Sequence, residues 1–418
     1  MLRWCLVLLL AANASVTLLA AQELPAGDPA KLGFSPERLA RIGRVFQEHV
    51  DAGRLAGAQG LVLRQGQVAF QQSWGYRDLE MRDPLENDDI FRICSMTKPI
   101  TSVAVMMLWE EGRFTLADPV ARFLPALGAV QVARLGDGAS TANLPTERPR
   151  RAMTIQDLLR HTSGLTYGLF ANSPVDSLYV RANLFAAPGL EAMVAKLGEI
   201  PLRDHPGARW NYSMSTDVLG RLVEVVSGMP FDAFLRTRIF EPLGMRDTEF
   251  RIADSKRARV SRSYRHSGAQ PTLTVNEGPD ACSPAAILSG GAGLASTARD
   301  YARFAQMLLS GGELNGVRLL GRKTVELMRT DHLGELPGPA AGTGFGLGFA
   351  VKEAPNSLPT SVGTYFWEGL HGTFFWIDPV EELVGIFMVQ IYPNRSVDFK
   401  QQFQQLVYQS IVSGVGAP

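Results

Sequence analysis

The chain has 418 residues, 46% of them hydrophobic and 20% charged, with Lys+Arg and Asp+Glu equal at 41 each. That length can bury a sizeable core and suits two domains or one large elaborated domain. The balanced charge lacks the basic excess of a nucleic-acid binder or a membrane-surface protein, so a small, near-neutral partner is expected.

The first residues read as a secretory signal over 1–21. Arg3 supplies the positive end, Leu6 to Ala12 the apolar run, and Ala20-Ala21 a cleavage point before Gln22. A secreted or periplasmic mature chain is therefore expected. Asn13 and Ser15 interrupt the apolar run, which suits cleavage better than an uncleaved anchor, the alternative. Nothing later is apolar for long enough to span a bilayer. Losing this segment removes Arg3 and Cys5 and leaves Cys94 and Cys282. Two cysteines make no disulfide framework, and Cys94 is expected to be a buried free thiol.

Ser35-Pro36-Glu37 is a helix start, with Ser35 as N-cap and Pro36 at the first helical position. Leu39, Ile42, Phe46, His49 and Val50 follow at helical spacing, and Gly53 ends the run. Residues 58–74 read as two strands about Gln65-Gly66. From Lys98 to Glu111 the chain is apolar without alternation, which predicts a buried helix. Residues 128–151 read as a long surface loop. Short helices are expected over Thr154–Arg160 and Thr216–Val226. Near the C-terminus, apolar runs at Thr364–Leu370, Thr373–Ile377 and Leu383–Gln390 predict consecutive antiparallel strands, and a helix closes residues 396–412. Strands at both ends with helices between give an α/β (α+β) fold: a discontinuous domain (22–94 and 275–418) and a mostly helical insertion (95–274).

The central chemical signal is Cys94-Ser95-Met96-Thr97-Lys98-Pro99. A helix mouth puts residues three apart on one face, so Ser95 and Lys98 are within reach of each other. Serine needs a neighbouring base to become a nucleophile, and a buried lysine with a lowered pKa can be one. A bare Ser-x-x-Lys match is common. Here, however, the chain has seven lysines and only Lys98 has serine three before it. It also opens the most apolar helix, where a surface lysine has no place. Two further segments stand out. Trp210-Asn211-Tyr212-Ser213-Met214 precedes a helix and offers a phenol as proton relay, against the plainer reading of a capped core tyrosine. Trp367-Glu368-Gly369-Leu370-His371-Gly372 interrupts the strand run and is either a substrate-binding edge or a simple glycine-rich bend.

The order of these three motifs resembles that of the penicillin-recognising serine enzymes. More narrowly it resembles class C β-lactamases and the family VIII carboxylesterases. His161-Thr162-Ser163-Gly164-Leu165 and Gly290-Gly291-Ala292-Gly293-Leu294 add to the resemblance, which covers nearly the whole mature chain. It implies a β-lactamase/transpeptidase-like fold, an antiparallel sheet flanked by helices beside a mostly helical part. It also implies Ser95 as acylated nucleophile, Lys98 as proton acceptor and Tyr212 as base or shuttle. The oxyanion hole would be the backbone N–H groups of Ser95 and Leu370. Substrate contacts would come from Met214, Trp367, Glu368 and Gly369, with His161 in support, bonding backbone near the site. His371 is the rival to Trp367 as head of the third motif.

Two positions depart from the lactamase pattern. Met214 stands where it has Asn, and Trp367-Glu368-Gly369 where it has Lys-Thr-Gly. Trp and Glu cannot bind a carboxylate as Lys and Thr do, and Glu368 would repel an anion. The Trp-x-Gly form resembles the carboxylesterases, so uncharged esters are the preferred substrate class. β-Lactam or D-alanyl-peptide hydrolysis, acyl transfer to an alcohol, and a non-catalytic binding protein on the same fold are the alternatives. No Gly-x-Ser-x-Gly elbow occurs. The six histidines have no metal spacing, so neither metal nor cofactor is expected. The basic cluster around Lys256-Arg257-Ala258-Arg259 reads as a solvated surface.

Overall fold

The structure, a computed structural model, describes residues 24–136, 139–168, 173–267, 272–278, 282 and 287–415. The expected signal over 1–21 lies outside the described residues. Among the described residues no helix is long and apolar enough to cross a membrane.

The sheet has eight antiparallel strands. The chain supplies β1 (Gly57–Arg64), β2 (Gln67–Asp78) and β3 (Asp83–Pro84) early, then β4 (Thr343–Phe345), β5 (Ala350–Lys352), β6 (Tyr365–Glu368), β7 (Phe374–Asp378) and β8 (Leu383–Val389) late. Their spatial order is β4-β5-β6-β7-β8-β1-β2-β3. The two ends of the chain therefore meet in the middle, where β1 and β8 pair from Ala58↔Val389 to Arg64↔Leu383. Both strands are buried throughout, as strands covered on two faces must be. Gln65-Gly66 turns the first hairpin with positive φ at both residues, 51° and 73°. Gly385, opposite Trp376 in the register, lies under the indole: a Cβ there would sit 2.1 Å from the ring.

Each face of the sheet has its own helical cover. On one face α1 (Pro36–Asp51) buries Leu39, Ile42, Phe46 and His49, with Ser35 capping its N-terminus. Phe46 lies 4.9 Å from Trp74, 5.3 Å from Phe387 and 5.9 Å from Phe403 of the C-terminal helix. On the other face α2 (Thr97–Glu110) has twelve of its fourteen residues buried, from Thr97 to Leu108. The helical part stands beyond it, and α3 (Ser215–Ser227) packs directly on α2. Against the same sheet face, α4 (Ala298–Leu309) brings Tyr301 to 5.0 Å from Phe375. The C-terminal helix, α5, runs Phe399–Tyr408 and is capped by Asp398. It is shorter than the expected 396–412. The expected loop at 128–151 contains a small strand pair, Val132–Ala133 with Thr146–Glu147.

One expectation fails outright. Cys94 is not a free thiol: it is disulfide-bonded to Cys282, 188 residues away. Two cysteines that far apart carry no sequence signal of proximity. The fold creates it by bringing Cys282 against the turn that holds Ser95.

Candidate active site

Ser95 sits in a short 3₁₀ turn, Cys94–Met96, that runs straight into α2. Cys94 has φ +48° although it is not glycine, and this left-handed residue directly precedes the serine. Such conformations cost energy and cluster at functional sites. The turn places Lys98 Nζ 3.1 Å from Ser95 Oγ and 2.7 Å from the carbonyl oxygen of Gly291, to which it donates. Tyr212 O–H donates to the same Ser95 Oγ at 2.7 Å. The serine thus has a lysine and a phenol on one oxygen, from segments 117 residues apart.

Burial decides the protonation states. Lys98 is almost fully buried. Desolvation lowers its pKa from 10.5 to about 7, against the opposing attraction of Asp217. Lys98 is therefore substantially free base at neutral pH and can accept a proton. Tyr212 moves the other way: burial raises its pKa, with the Ser95 and Trp367 hydrogen bonds acting to lower it. It keeps its proton and is a donor or relay rather than a standing phenolate. When Lys98 does carry a proton, its ammonium lies 4.5 Å from the centroid of Tyr212 and 5.3 Å from that of Tyr167, within cation–π range.

The third motif closes the site. Trp367 Nε1 donates to Tyr212 Oη at 3.4 Å, taking the position beside the phenol. Gly369 has its reason in chain packing as well as in substrate access. A Cβ there would meet Ile93 O at 2.4 Å and Thr373 Oγ1 at 2.1 Å, so only glycine lets the end of β6 lie against the residues before Ser95. Among the described residues, neither the Ser95 nor the Leu370 N–H donates to another chain group. Both residues line one cavity of about 460 Å³. Trp210, Tyr212, Trp367, Val389, Ile391, Tyr392 and Phe399 make up half of its fourteen lining residues.

The structure sorts the remaining candidates. Glu368 is on the cavity rim, but it forms an ion pair with Lys400 from α5. The expectation that Glu368 repels anions is therefore corrected: the rim pair is neutral. The Lys and Thr donors of the lactamase pattern are absent from positions 367 and 368. Met214 does not reach the cavity; it is 1% exposed, packed in the core at the start of α3. His161 holds the Tyr212 loop rather than touching Ser95. Its Nδ1 is 3.2 Å from Ser213 Oγ, its carbonyl accepts from Asn211 N–H at 2.8 Å, and its ring meets Tyr212 edge-on at 5.0 Å. The ring therefore bonds a side chain, and the backbone bond is made by the His161 carbonyl. Burial and the Lys98 charge keep it neutral, its pKa well below 6.5. His371 is buried against Gln390 and Cys282 and does not line the cavity, which Trp367 does.

Sequence reasoning missed Asp217, Lys400, Trp210 and the 391–399 segment. Asp217 is fully buried on α3. It accepts from Ser289 Oγ at 2.5 Å and Gly291 N–H at 3.1 Å, fixing the turn whose carbonyl holds Lys98. Its position five residues after Tyr212, in the first turn of a helix, looks like ordinary dipole complementarity. Only the fold reveals the buried partner.

A family model described as Beta-lactamase matches residues 42–409. The chain belongs to the β-lactamase family. Esterase EstB from Burkholderia gladioli is 32% identical over 376 residues, spanning 84% of this chain and 90% of that one. The lovastatin esterase of Penicillium rubens is 28% identical over 396 residues, spanning 87% and 96%. Among solved structures, EstCE1, described as a hydrolase with promiscuous acyltransferase activity, superposes with a TM-score of 0.74 at 28% identity. It covers 89% of this chain and 99% of its own. The chain is a β-lactamase-family serine hydrolase with the β-lactamase/transpeptidase-like fold.

Proposed function

We propose that this hydrolase cleaves carboxylic esters through an acyl-enzyme on Ser95. The observation that carries the reading is the serine held between Lys98 at 3.1 Å and Tyr212 at 2.7 Å, at the floor of a largely apolar cavity. Lys98 as free base takes the Ser95 proton, and Oγ attacks the ester carbonyl. The Ser95 and Leu370 N–H groups receive the developing oxyanion. Tyr212 gives its proton to the departing alkoxide and recovers one from the Lys98 ammonium. Water enters by the reverse exchange and releases the acid.

Uncharged esters fit because Trp367 and Glu368 stand where a carboxylate-binding Lys-Thr pair would be needed. Esterase names among its relatives support the same substrate class. The aromatic wall favours a second acceptor as well: an apolar alcohol held against Trp210, Trp367 and Phe399 would take the acyl group in place of water. An export signal over 1–21 belongs to this reading. A Cys94–Cys282 bond supports an oxidising compartment, which cell fractionation tests.

The test is intact-protein mass after brief exposure to an activated aryl ester and, separately, to a cephalosporin, with Ser95→Ala as control. Acyl adduct or fast turnover with the ester, absent from the variant, is expected. Turnover by Ser95→Ala at the wild-type rate would sink the reading. A cephalosporin adduct as fast as the ester's would show that positions 367 and 368 do not set substrate class. Added alcohol diverting product from acid to ester would reveal the second acceptor.

A further inference from the structure

Cys94 Sγ, Cys282 Sγ and a ring nitrogen of His371 lie within 4.8 Å of one another, all three residues buried. The cluster has no part in the proton relay around Ser95. Its placement is specific: Cys94 immediately precedes Ser95, and His371 immediately follows Leu370. Both of those neighbours line the cavity, and theirs are the N–H groups assigned above to the oxyanion.

The tautomer of His371 can be worked out from its neighbour. Gln390 Nε2 donates to Arg92 O at 3.0 Å and Val389 O at 2.9 Å, so its carbonyl oxygen is the atom turned to His371. That Oε1 lies 3.5 Å from Nδ1 and calls for a proton there. Nε2 is then the atom with the lone pair, and it is 3.9 Å from Cys282 Sγ. A ring whose far nitrogen donates to an amide or carboxylate oxygen while the near one faces sulfur is the arrangement that orients metal-ligating histidines.

We propose that the reduced chain binds one thiophilic divalent cation, zinc by preference, through Cys94, Cys282 and His371. The disulfide form has no thiolates to offer, so the site exists only after reduction. A dithiol reductant supplies two electrons and two protons and is itself oxidised to a disulfide, while the Cys94–Cys282 bond opens to two thiols. Metal binding then displaces those two protons, and the neutral His371 contributes its Nε2 lone pair without losing one. Two thiolates and one imidazole suit zinc over magnesium or calcium, which take oxygen ligands.

The test uses the full mature chain, reduced with a phosphine that is then removed, against the untreated chain. Zinc content after gel filtration is expected to be one equivalent in the reduced chain and none in the oxidised one. Cobalt(II) in place of zinc is expected to give a thiolate-to-metal charge-transfer band. His371→Ala should weaken binding by about tenfold or more, and Gln390→Leu by a smaller factor, each checked for native circular dichroism. Should the His371 variant misfold, Gln390→Leu alone reads the ring's contribution. Zinc bound equally by oxidised chain, no stoichiometric binding after reduction, or binding unaffected by both substitutions would each overturn the proposal. Binding is measured equally well on Ser95→Ala, so its outcome is separate from that of the esterase reading.

Discussion

Lys98→Met removes the buried amine and keeps a chain of similar bulk. The folded state holds the Lys98 pKa near 7, against 10.5 for an ordinary lysine. Between those two values the unfolded chain binds the Lys98 proton and the folded chain does not, so stability rises with pH across the window. Each pH step of one across that window is worth about 1.4 kcal/mol, so at pH 7 and below the fold carries a penalty of roughly 4–5 kcal/mol that vanishes above about pH 10.5. From about pH 7.5 to about pH 9.5 wild type should gain roughly 2–3 kcal/mol relative to Lys98→Met. The buried tyrosines are common to both chains and cancel. Asp217 responds to the Lys98 charge, so the comparison is repeated with Asp217→Asn in both. Urea unfolding at fixed ionic strength, one curve per pH, gives the difference. Parallel pH dependences would mean that folded Lys98 keeps its proton, and it could then not serve as the base for Ser95 near neutrality.

The same lysine sets an activity limb: kcat/KM for a neutral ester should rise through about pH 7, and a flat profile from pH 5 to 9 would contradict it. Trp367→Phe keeps the aromatic wall but deletes the N–H that reaches Tyr212 at 3.4 Å. Because that bond is long, a loss of only about 3–10-fold in kcat is expected, with KM little changed. Lys400→Ala leaves Glu368 as an unpaired rim charge. Esters bearing a carboxylate should lose about 3–10-fold in kcat/KM at low salt, neutral esters much less, and added salt should narrow the gap. Cys282→Ser opens a 188-residue loop and should cost about 2–5 kcal/mol in denaturant unfolding, provided the reference chain is fully oxidised.

The fold was readable where local pattern and burial agree. The spacing of Leu39, Ile42 and Phe46, the unbroken apolar run after Lys98 and the turn at Gln65-Gly66 all belong to single elements and needed no partner to interpret. The resemblance then supplied the topology, which no local pattern holds, since β1 meets β8 from the other end of the chain. At the site, Ser95, Lys98 and Tyr212 came from motifs and come together in space. What escaped was whatever depends on distant segments. Asp217 reads as a helix-cap acid, Lys400 as one more polar residue of an amphipathic helix, and Cys94 and Cys282 as unrelated thiols. Met214 failed in the opposite sense: its place in a motif suggested a substrate contact, yet the start of α3 turns it into the core.

These distant partners explain how the site tolerates its altered third motif. A lysine at position 367 would place a second cation beside Tyr212 and favour its phenolate. Trp367 supplies only a neutral N–H, whose lowering effect does not overcome burial, so Tyr212 stays protonated with a raised pKa. In the proposed mechanism base duty then falls to Lys98, which must be neutral to perform it. Burial achieves that, while Asp217 limits how far the pKa drops and holds, through Gly291, the carbonyl that aims the amine at Ser95. Asp217→Asn should consequently shift the activity limb to lower pH, because the attraction that favours the ammonium is gone. It should also lower the maximal rate, because the Gly291 carbonyl is less firmly held. A variant that lost rate with no movement of the limb would place Asp217 in packing alone, and a variant unchanged in both would remove it from the site.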